Sequence, residues 1–120
     1  MLIAYASKTG NVARFVAKLG YPTLRIESGR ERITHPCVLV TYTTGFGQVP
    51  PEVRAFAQAH RRFIRGVAAS GNRSWGPNFA RAADTLSELL GVPVLLKFEL
   101  SGWPEDTERF RQILSTLEEK

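Results

Sequence analysis

The chain has 120 residues and a mass of 13.4 kDa, a length that suits one domain over residues 1–120 and excludes a two-domain enzyme. Hydrophobic residues make up 43% and charged residues 22%, a globular balance without low-complexity stretches or repeats, which excludes disordered and solenoid classes. The net charge of +5 is unevenly placed, with 11 basic and 3 acidic groups in residues 1–80 against 5 and 8 in residues 81–120, so the earlier loops suit an anionic ligand or an acidic partner, or form a solvated basic face.

Leu2-Ile3-Ala4-Tyr5-Ala6 reads as a first strand. Val12, Phe15, Val16 and Leu19 then recur at helical spacing until Gly20 stops the helix. Thr23-Leu24-Arg25-Ile26-Glu27 alternates like a half-covered strand, and the following residues 28–36 are too few for a crossover helix, so a compact loop is expected there. Cys37-Val38-Leu39-Val40-Thr41-Tyr42 is continuously apolar and β-branched, as a central strand buried on both faces would be. Pro50 and Pro51 open a helix whose stripe is Val53, Phe56, Ala57, Phe63 and Ile64, with His60 on it and Gly66 closing it. Val67-Ala68-Ala69 reads as a short buried strand, followed by a helix with Phe79, Ala82, Ala83, Leu86, Leu89 and Leu90 on one side, ended by Gly91. Val94-Leu95-Leu96-Lys97-Phe98 is the last strand, and after Gly102 and Pro104 a final helix turns Phe110, Ile113, Leu114 and Leu117 inward. Strands alternating with helices predict an α/β fold: a doubly wound, five-stranded parallel sheet with helices on both faces.

No apolar run reaches the length of a membrane span, no basic leader precedes the first strand, and the lone Cys37 cannot form an internal disulfide. These features predict a cytoplasmic protein with no membrane partner. Cys37 reads as a small buried hydrophobe, and neither His35 nor His60 has a companion at metal-ligand spacing, so no metal site is assigned.

A sheet of this kind binds ligands at the carboxyl ends of its strands, beside the reversal in strand order. The loop after the first strand, Ser7-Lys8-Thr9-Gly10-Asn11, brings hydroxyls, a cation and free main-chain N–H groups to a helix start, the arrangement that holds a phosphate, although Ser and Asn are also ordinary helix caps. Dinucleotide and P-loop glycine patterns are absent, no cysteine serves a phosphatase mechanism, and no carboxylates end the strands as a phosphorylated receiver requires. The second loop, Thr43-Thr44-Gly45-Phe46-Gly47-Gln48, offers an uncharged surface suited to a flat aromatic ring. The third is Ser70-Gly71-Asn72-Arg73-Ser74-Trp75-Gly76-Pro77 and the fourth Glu99-Leu100-Ser101-Gly102-Trp103. Four polar, glycine-bearing loops on one sheet edge favour a binding site.

Residues 7–12, the Thr41-Tyr42-Thr43-Thr44-Gly45-Phe46-Gly47 run, Ser70-Gly71-Asn72-Arg73 with Trp75-Gly76, and Lys97-Phe98-Glu99-Leu100-Ser101-Gly102 together resemble the NrdI family, flavodoxin-like flavoproteins associated with class Ib ribonucleotide reductase. The resemblance implies a flavodoxin-like fold and one non-covalent FMN, its phosphate on Ser7, Lys8, Thr9, Gly10, Asn11 and Val12. The isoalloxazine would lie between Thr43, Thr44, Gly45, Phe46 and Gly47 on one side and Ser70, Gly71, Asn72, Arg73, Trp75 and Gly76 on the other. It further implies a redox activator rather than a metabolic enzyme, with no catalytic side chain. An unidentified reductant supplies electrons to oxygen through the flavin, and the superoxide assembles the dimanganese-tyrosyl radical cofactor of the reductase small subunit.

Two positions depart from the pattern: Val12 stands where ordinary flavodoxins tend to carry a hydroxyl, and Trp103, expected to cap the last helix, stands where a smaller residue is usual. Alternative readings are a general flavodoxin electron carrier and, from the pI of 9.9 and the Arg61-Arg62-Phe63-Ile64-Arg65 segment, a flavin-free nucleic-acid-binding module. The latter is disfavoured because Phe63 is assigned to the core rather than to an exposed basic face, so no nucleic-acid partner is expected.

Overall fold

A computed structural model describes residues 1–119. The elements run β1 (Leu2–Tyr5), α1 (Asn11–Ala17), β2 (Thr23–Arg25), β3 (Cys37–Tyr42), α2 (Pro51–Ala59), β4 (Ile64–Gly71), α3 (Arg81–Leu90), β5 (Val94–Glu99) and α4 (Pro104–Glu118). The five strands form one parallel sheet in the order β2-β1-β3-β4-β5. The chain therefore winds outward from β1 to β2, then returns past β1 to β3 and continues the other way. The reversal lies between β1 and β3.

Alternation along the strands divides the core into two layers. Ile3, Val38, Val40, Ala68 and Phe98 pack with Val12, Phe15 and Val16 of α1 and Phe110 and Leu114 of α4. Ala4, Cys37, Leu39, Val67 and Ala69 face the other way, against Val53, Phe56 and Ala57 of α2 and Ala82, Ala83 and Leu86 of α3. Phe15 anchors the first layer, stacked on Phe98 with ring centroids 3.9 Å apart and fully buried. Losing the Phe15 side chain would cost about 3–5 kcal/mol in such a site.

The short link between β2 and β3 carries no helix, as its length predicts. It covers the sheet by inserting Ile26 and Ile33 into the α2/α3 layer, and it is held by its own carboxylate. Glu31 accepts hydrogen bonds from the N–H groups of Glu27 (2.9 Å), Ser28 (3.0 Å) and Gly29 (2.9 Å), and from the Ser28 hydroxyl (3.2 Å). Burial pushes the Glu31 carboxyl upward, but the main-chain donors outweigh it and hold the group down at about 2.

Several boundaries differ from the sequence reading, β2 ending at Arg25 rather than Glu27 and β4 spanning Ile64–Gly71 rather than Val67–Ala69. The helix opened by Pro50 and Pro51 stops at Ala59 instead of running to Gly66, because His60 leaves helical geometry at φ −121°. Phe63 ends a 3₁₀ turn and Ile64 begins β4, pairing with Cys37. Gly66 lies inside that strand, where a Cβ would fall 2.6 Å from the Leu95 side chain. His60 Nδ1 donates to the Phe56 carbonyl at 3.0 Å and Nε2 accepts the Ile33 N–H at 3.4 Å, so the ring is the neutral Nδ1–H tautomer, tying α2 to the β2–β3 link. Phe79 likewise precedes α3, which starts only after Ala80 adopts φ 49°. Cys37 is fully buried and burial pushes its thiol up to about 12, as befits an inert packing residue. Among the described residues, no helix is long and apolar enough to cross a membrane.

Candidate functional site

The loops leaving β1, β3, β4 and β5 meet beside the strand-order reversal and enclose a cleft of about 310 Å³. Ser7, Lys8, Thr9, Asn11 and Val12 form one wall, Thr43, Thr44, Gly45 and Gly47 a second, and Ser70, Gly71, Asn72 and Trp75 a third. Sequence reasoning thus locates most of the lining. Gly10, Phe46, Arg73 and Gly76 do not contribute to it, whereas Tyr42, Asn78, Ala80 and Leu100 do.

The first wall is shaped by the entry to α1. Gly10 takes φ 90° to turn the chain, and its carbonyl accepts the Arg14 N–H at 2.9 Å. Ser7 Oγ accepts the Ala13 N–H at 3.1 Å. The amides of Asn11 and Val12, in the first helical turn, are left without intrahelical acceptors. Val12 contributes an apolar side chain that is itself core, so this position adds a main-chain donor only.

The second wall is a tight loop closed by two hydrogen bonds between Thr44 and Gln48, N–H to carbonyl at 3.0 and 2.7 Å. Gly45 at φ 54° and Gly47 at φ 97° make that closure possible. Phe46 is thrown out at the tip, 75% exposed, with its ring edge-on to Trp75 at 5.7 Å. Thr43 Oγ1 is buried in the cleft wall with no hydrogen-bond partner. A buried hydroxyl without a partner costs about 1–3 kcal/mol, so beside a ligand-sized cleft it is available to bond a ligand atom.

The third wall is pinned from below. Ser70 Oγ donates to the Leu100 carbonyl at 2.6 Å, and the Leu100 N–H donates to the Gly71 carbonyl at 3.0 Å. Gly71 leaves no room for a side chain, since a Cβ would fall 2.5 Å from the Ala80 nitrogen. Ala80 and Leu100, both lining residues, are held in the left-handed region at φ 49° and 55°. Left-handed backbone at residues with a Cβ costs about 1–3 kcal/mol, so both strained residues sit where the cleft is shaped.

Arg73 was expected to edge the ligand by its loop position; its guanidinium instead lies over the Phe79 ring at 4.6 Å and 4.0 Å from Glu99. Glu99 also accepts the Arg73 N–H at 3.1 Å, which answers its role: it fastens the third loop. Trp103 stands at the N-cap of α4, where its N–H donates to Asp106 at 2.8 Å and its ring is 61% exposed. Tyr42 donates to Glu52 at 3.2 Å; burial first, and then that carboxylate, push its phenol up, so it is a neutral wall. The lining therefore presents Lys8 and no carboxylate. Phe63 is half-buried with the Arg62 guanidinium 4.8 Å over its ring.

Tyr42 and Leu100 lie inside the family-like runs without being assigned to the cleft, and nothing in the sequence marks Asn78 and Ala80, because only the fold of the third loop brings them round. The unpartnered Thr43 hydroxyl, the free amides at Asn11 and Val12 and the single cation fit a ligand with an anionic end and a polar, planar body.

Comparison with known proteins agrees with this geometry. The "NrdI Flavodoxin like" family matches residues 3–112. Protein NrdI of Bacillus licheniformis is 50% identical over 110 residues, covering 92% of this chain and 84% of that protein, and Protein NrdI of Macrococcus caseolyticus is 47% identical over 110 residues, covering 92% and 85%. Among solved structures, the Fusobacterium nucleatum flavodoxin bound to flavin mononucleotide superposes with a TM-score of 0.73 at 14% identity, covering 98% of this chain and 96% of that one. A short-chain flavodoxin associated with a non-canonical PDU bacterial microcompartment gives 0.69 at 22% identity, covering 98% and 95%. The architecture is that of flavodoxins, and the sequence carries the assignment further: the chain belongs to the NrdI flavodoxin-like family.

Proposed function

We propose that this chain binds one FMN in the cleft and serves as the redox activator of a class Ib ribonucleotide reductase small subunit. The phosphate would be held by residues 7–12 and the ring system between Thr43, Thr44, Gly45 and Gly47 and the wall of Ser70, Gly71, Asn72 and Trp75. When bound and reduced by an external electron donor, FMN would supply one-electron transfer to oxygen, and the superoxide would serve as oxidant for the dimanganese centre of the partner, from which its tyrosyl radical would be generated. The chain's own residues bind, orient and shelter.

Lys8 and the open amides of Asn11 and Val12 neutralise the anionic end. Thr43 Oγ1, which has no protein partner, supplies a directional contact to the seated ligand. Gly45 and Gly47 keep side chains off that face of the cleft and let the loop adjust its peptides at low cost. A wall without carboxylates favours a bound group that gains negative charge on reduction, so the potential of the cofactor is expected above that of acidic flavodoxins.

The observation that carries the cofactor reading is the buried, unpartnered Thr43 hydroxyl in a cleft that presents a cation and no acid; the partner is supported by family membership. The test has two stages. Purified protein mixed with FMN should turn yellow and retain the flavin through gel filtration, and a colourless product in excess FMN overturns the cofactor reading. Loaded protein, given a reductant and oxygen, should then raise a tyrosyl-radical resonance signal in a manganese-loaded small subunit. Retained flavin with no radical would replace activation by general electron carriage.

A further inference from the structure

The loop after β5 is fastened onto the loop after β1 by side chains that the cofactor reading does not use. Arg14 Nη2 donates to Asn11 Oδ1 at 2.7 Å, and its Nε donates to Ser101 Oγ at 3.2 Å. Ser101 Oγ in turn donates to the same Asn11 Oδ1 at 2.8 Å. Lys18 Nζ holds the Ser101 carbonyl at 3.3 Å. The approach is possible because Gly102 has no side chain: a Cβ there would fall 2.7 Å from the Phe15 ring.

This network settles which way the Asn11 carboxamide points. A guanidinium only donates, so the Asn11 atom facing Arg14 must be its oxygen. With the hydroxyl of Ser101 adding a second donor, that oxygen is doubly engaged. The Asn11 NH₂ group is left facing Thr9, donating to Thr9 Oγ1 at 3.2 Å. Reversed, the carboxamide would turn a lone pair toward any anion on the loop and face the guanidinium with donors.

We infer that Arg14 and Ser101 are positioning residues for the phosphate of the cofactor: they lock Asn11 with its NH₂ group turned to Thr9, among the residues that line the cleft, and so set how strongly the site prefers FMN over riboflavin, which lacks the phosphate. The inference rests on the FMN reading above. It places part of the anion selectivity of the first loop in the fourth, nearly ninety residues along the chain.

The test is a pair of flavin titrations on the full flavin-stripped chain, followed by quenching of flavin fluorescence. Ser101→Ala removes one hydroxyl and no charge; Arg14→Met removes the guanidinium but keeps the stem. Each should weaken FMN binding about tenfold, the scale of a lost charge-assisted contact, while leaving riboflavin affinity unchanged. Ser101→Thr, which restores the hydroxyl, should recover the wild-type ratio. Equal weakening of both flavins would show a purely structural clasp and overturn the inference, as would an unaltered FMN-to-riboflavin ratio in Ser101→Ala. A wild-type chain that binds neither flavin overturns the cofactor reading, and the inference with it.

Discussion

Residues 7–12 and residues 27–31 are built alike: each follows a parallel strand, each begins near a serine, and each turns on a glycine in nearly the same left-handed conformation, Gly10 at φ 90° and Gly29 at φ 86°. They differ in where the negative charge comes from. In the second loop Glu31 gathers three main-chain N–H groups onto its own carboxylate. In the first, the amides of Asn11 and Val12 meet no acid, and the charged side chains on or bound to the loop, Lys8, Arg14 and Arg25, are cations. A loop that carries its counter-charge is a finished structural part; one that lacks it is open to an anion from outside.

The glycines give the largest test of that difference. A Cβ on Gly29 would fall 2.7 Å from the Glu52 carbonyl, a backbone atom of α2 that cannot step aside. Gly29→Ala should therefore cost about 3 kcal/mol in urea unfolding, left-handed strain and overpacking together. A Cβ on Gly10 would meet only the tip of Arg14, so Gly10→Ala should cost about 1 kcal/mol. Equal losses would mean that the two loops are braced alike. Next in size is Thr43→Val. It replaces an unpartnered buried hydroxyl by a methyl group of similar shape, so it should raise the melting temperature of ligand-free protein while weakening FMN binding about tenfold. A variant less stable without ligand would show that Thr43 is already satisfied.

The smallest effect sharpens the other side of the comparison. The Glu31 carboxyl is held at about 2, against an ordinary value of 4.5. A folded value below the unfolded one stabilises the protein above the unfolded value, and that contribution fades as pH falls from about 4.5 towards 2. Because the group is largely solvent-screened, the contribution is about 1 kcal/mol or less. Glu31→Gln should remove it at neutral pH and flatten this part of the acid denaturation curve. An unchanged curve would leave the second loop without its anchor.

The strand and helix periods were legible wherever one residue pattern met one environment, as in β3, whose bounds match the apolar run from Cys37 to Tyr42. The end of α2 was not, because Phe63 and Ile64 continue the helical stripe of Phe56 by spacing alone. What ends the helix is His60 binding Ile33 and Ile64 pairing with Cys37, contacts more than twenty residues apart. The cleft walls were readable from polar, glycine-bearing loops at strand ends. Side-chain direction was not: Arg73 turns to Phe79 and Glu99, and Arg14, which no motif marks, is drawn to Ser101 on the loop after β5. Glu31 illustrates the same limit, since no periodicity announces a carboxylate that folds a loop around itself.

The outer strands are unequal. β2 has three residues, with Thr23 and Arg25 exposed, and β5 has six, with Lys97 paired to Asp84 at 2.5 Å. The segment best suited to stacking into fibres, from Cys37 to Tyr42, is sealed between β1 and β4. Recruitment of a neighbouring molecule by strand addition is thus offered only a stub on one rim and a charged border on the other. Amyloid-like growth from the stretch most prone to it must wait for the whole sheet to come apart, so shelf life in solution should follow the global unfolding equilibrium rather than local fraying.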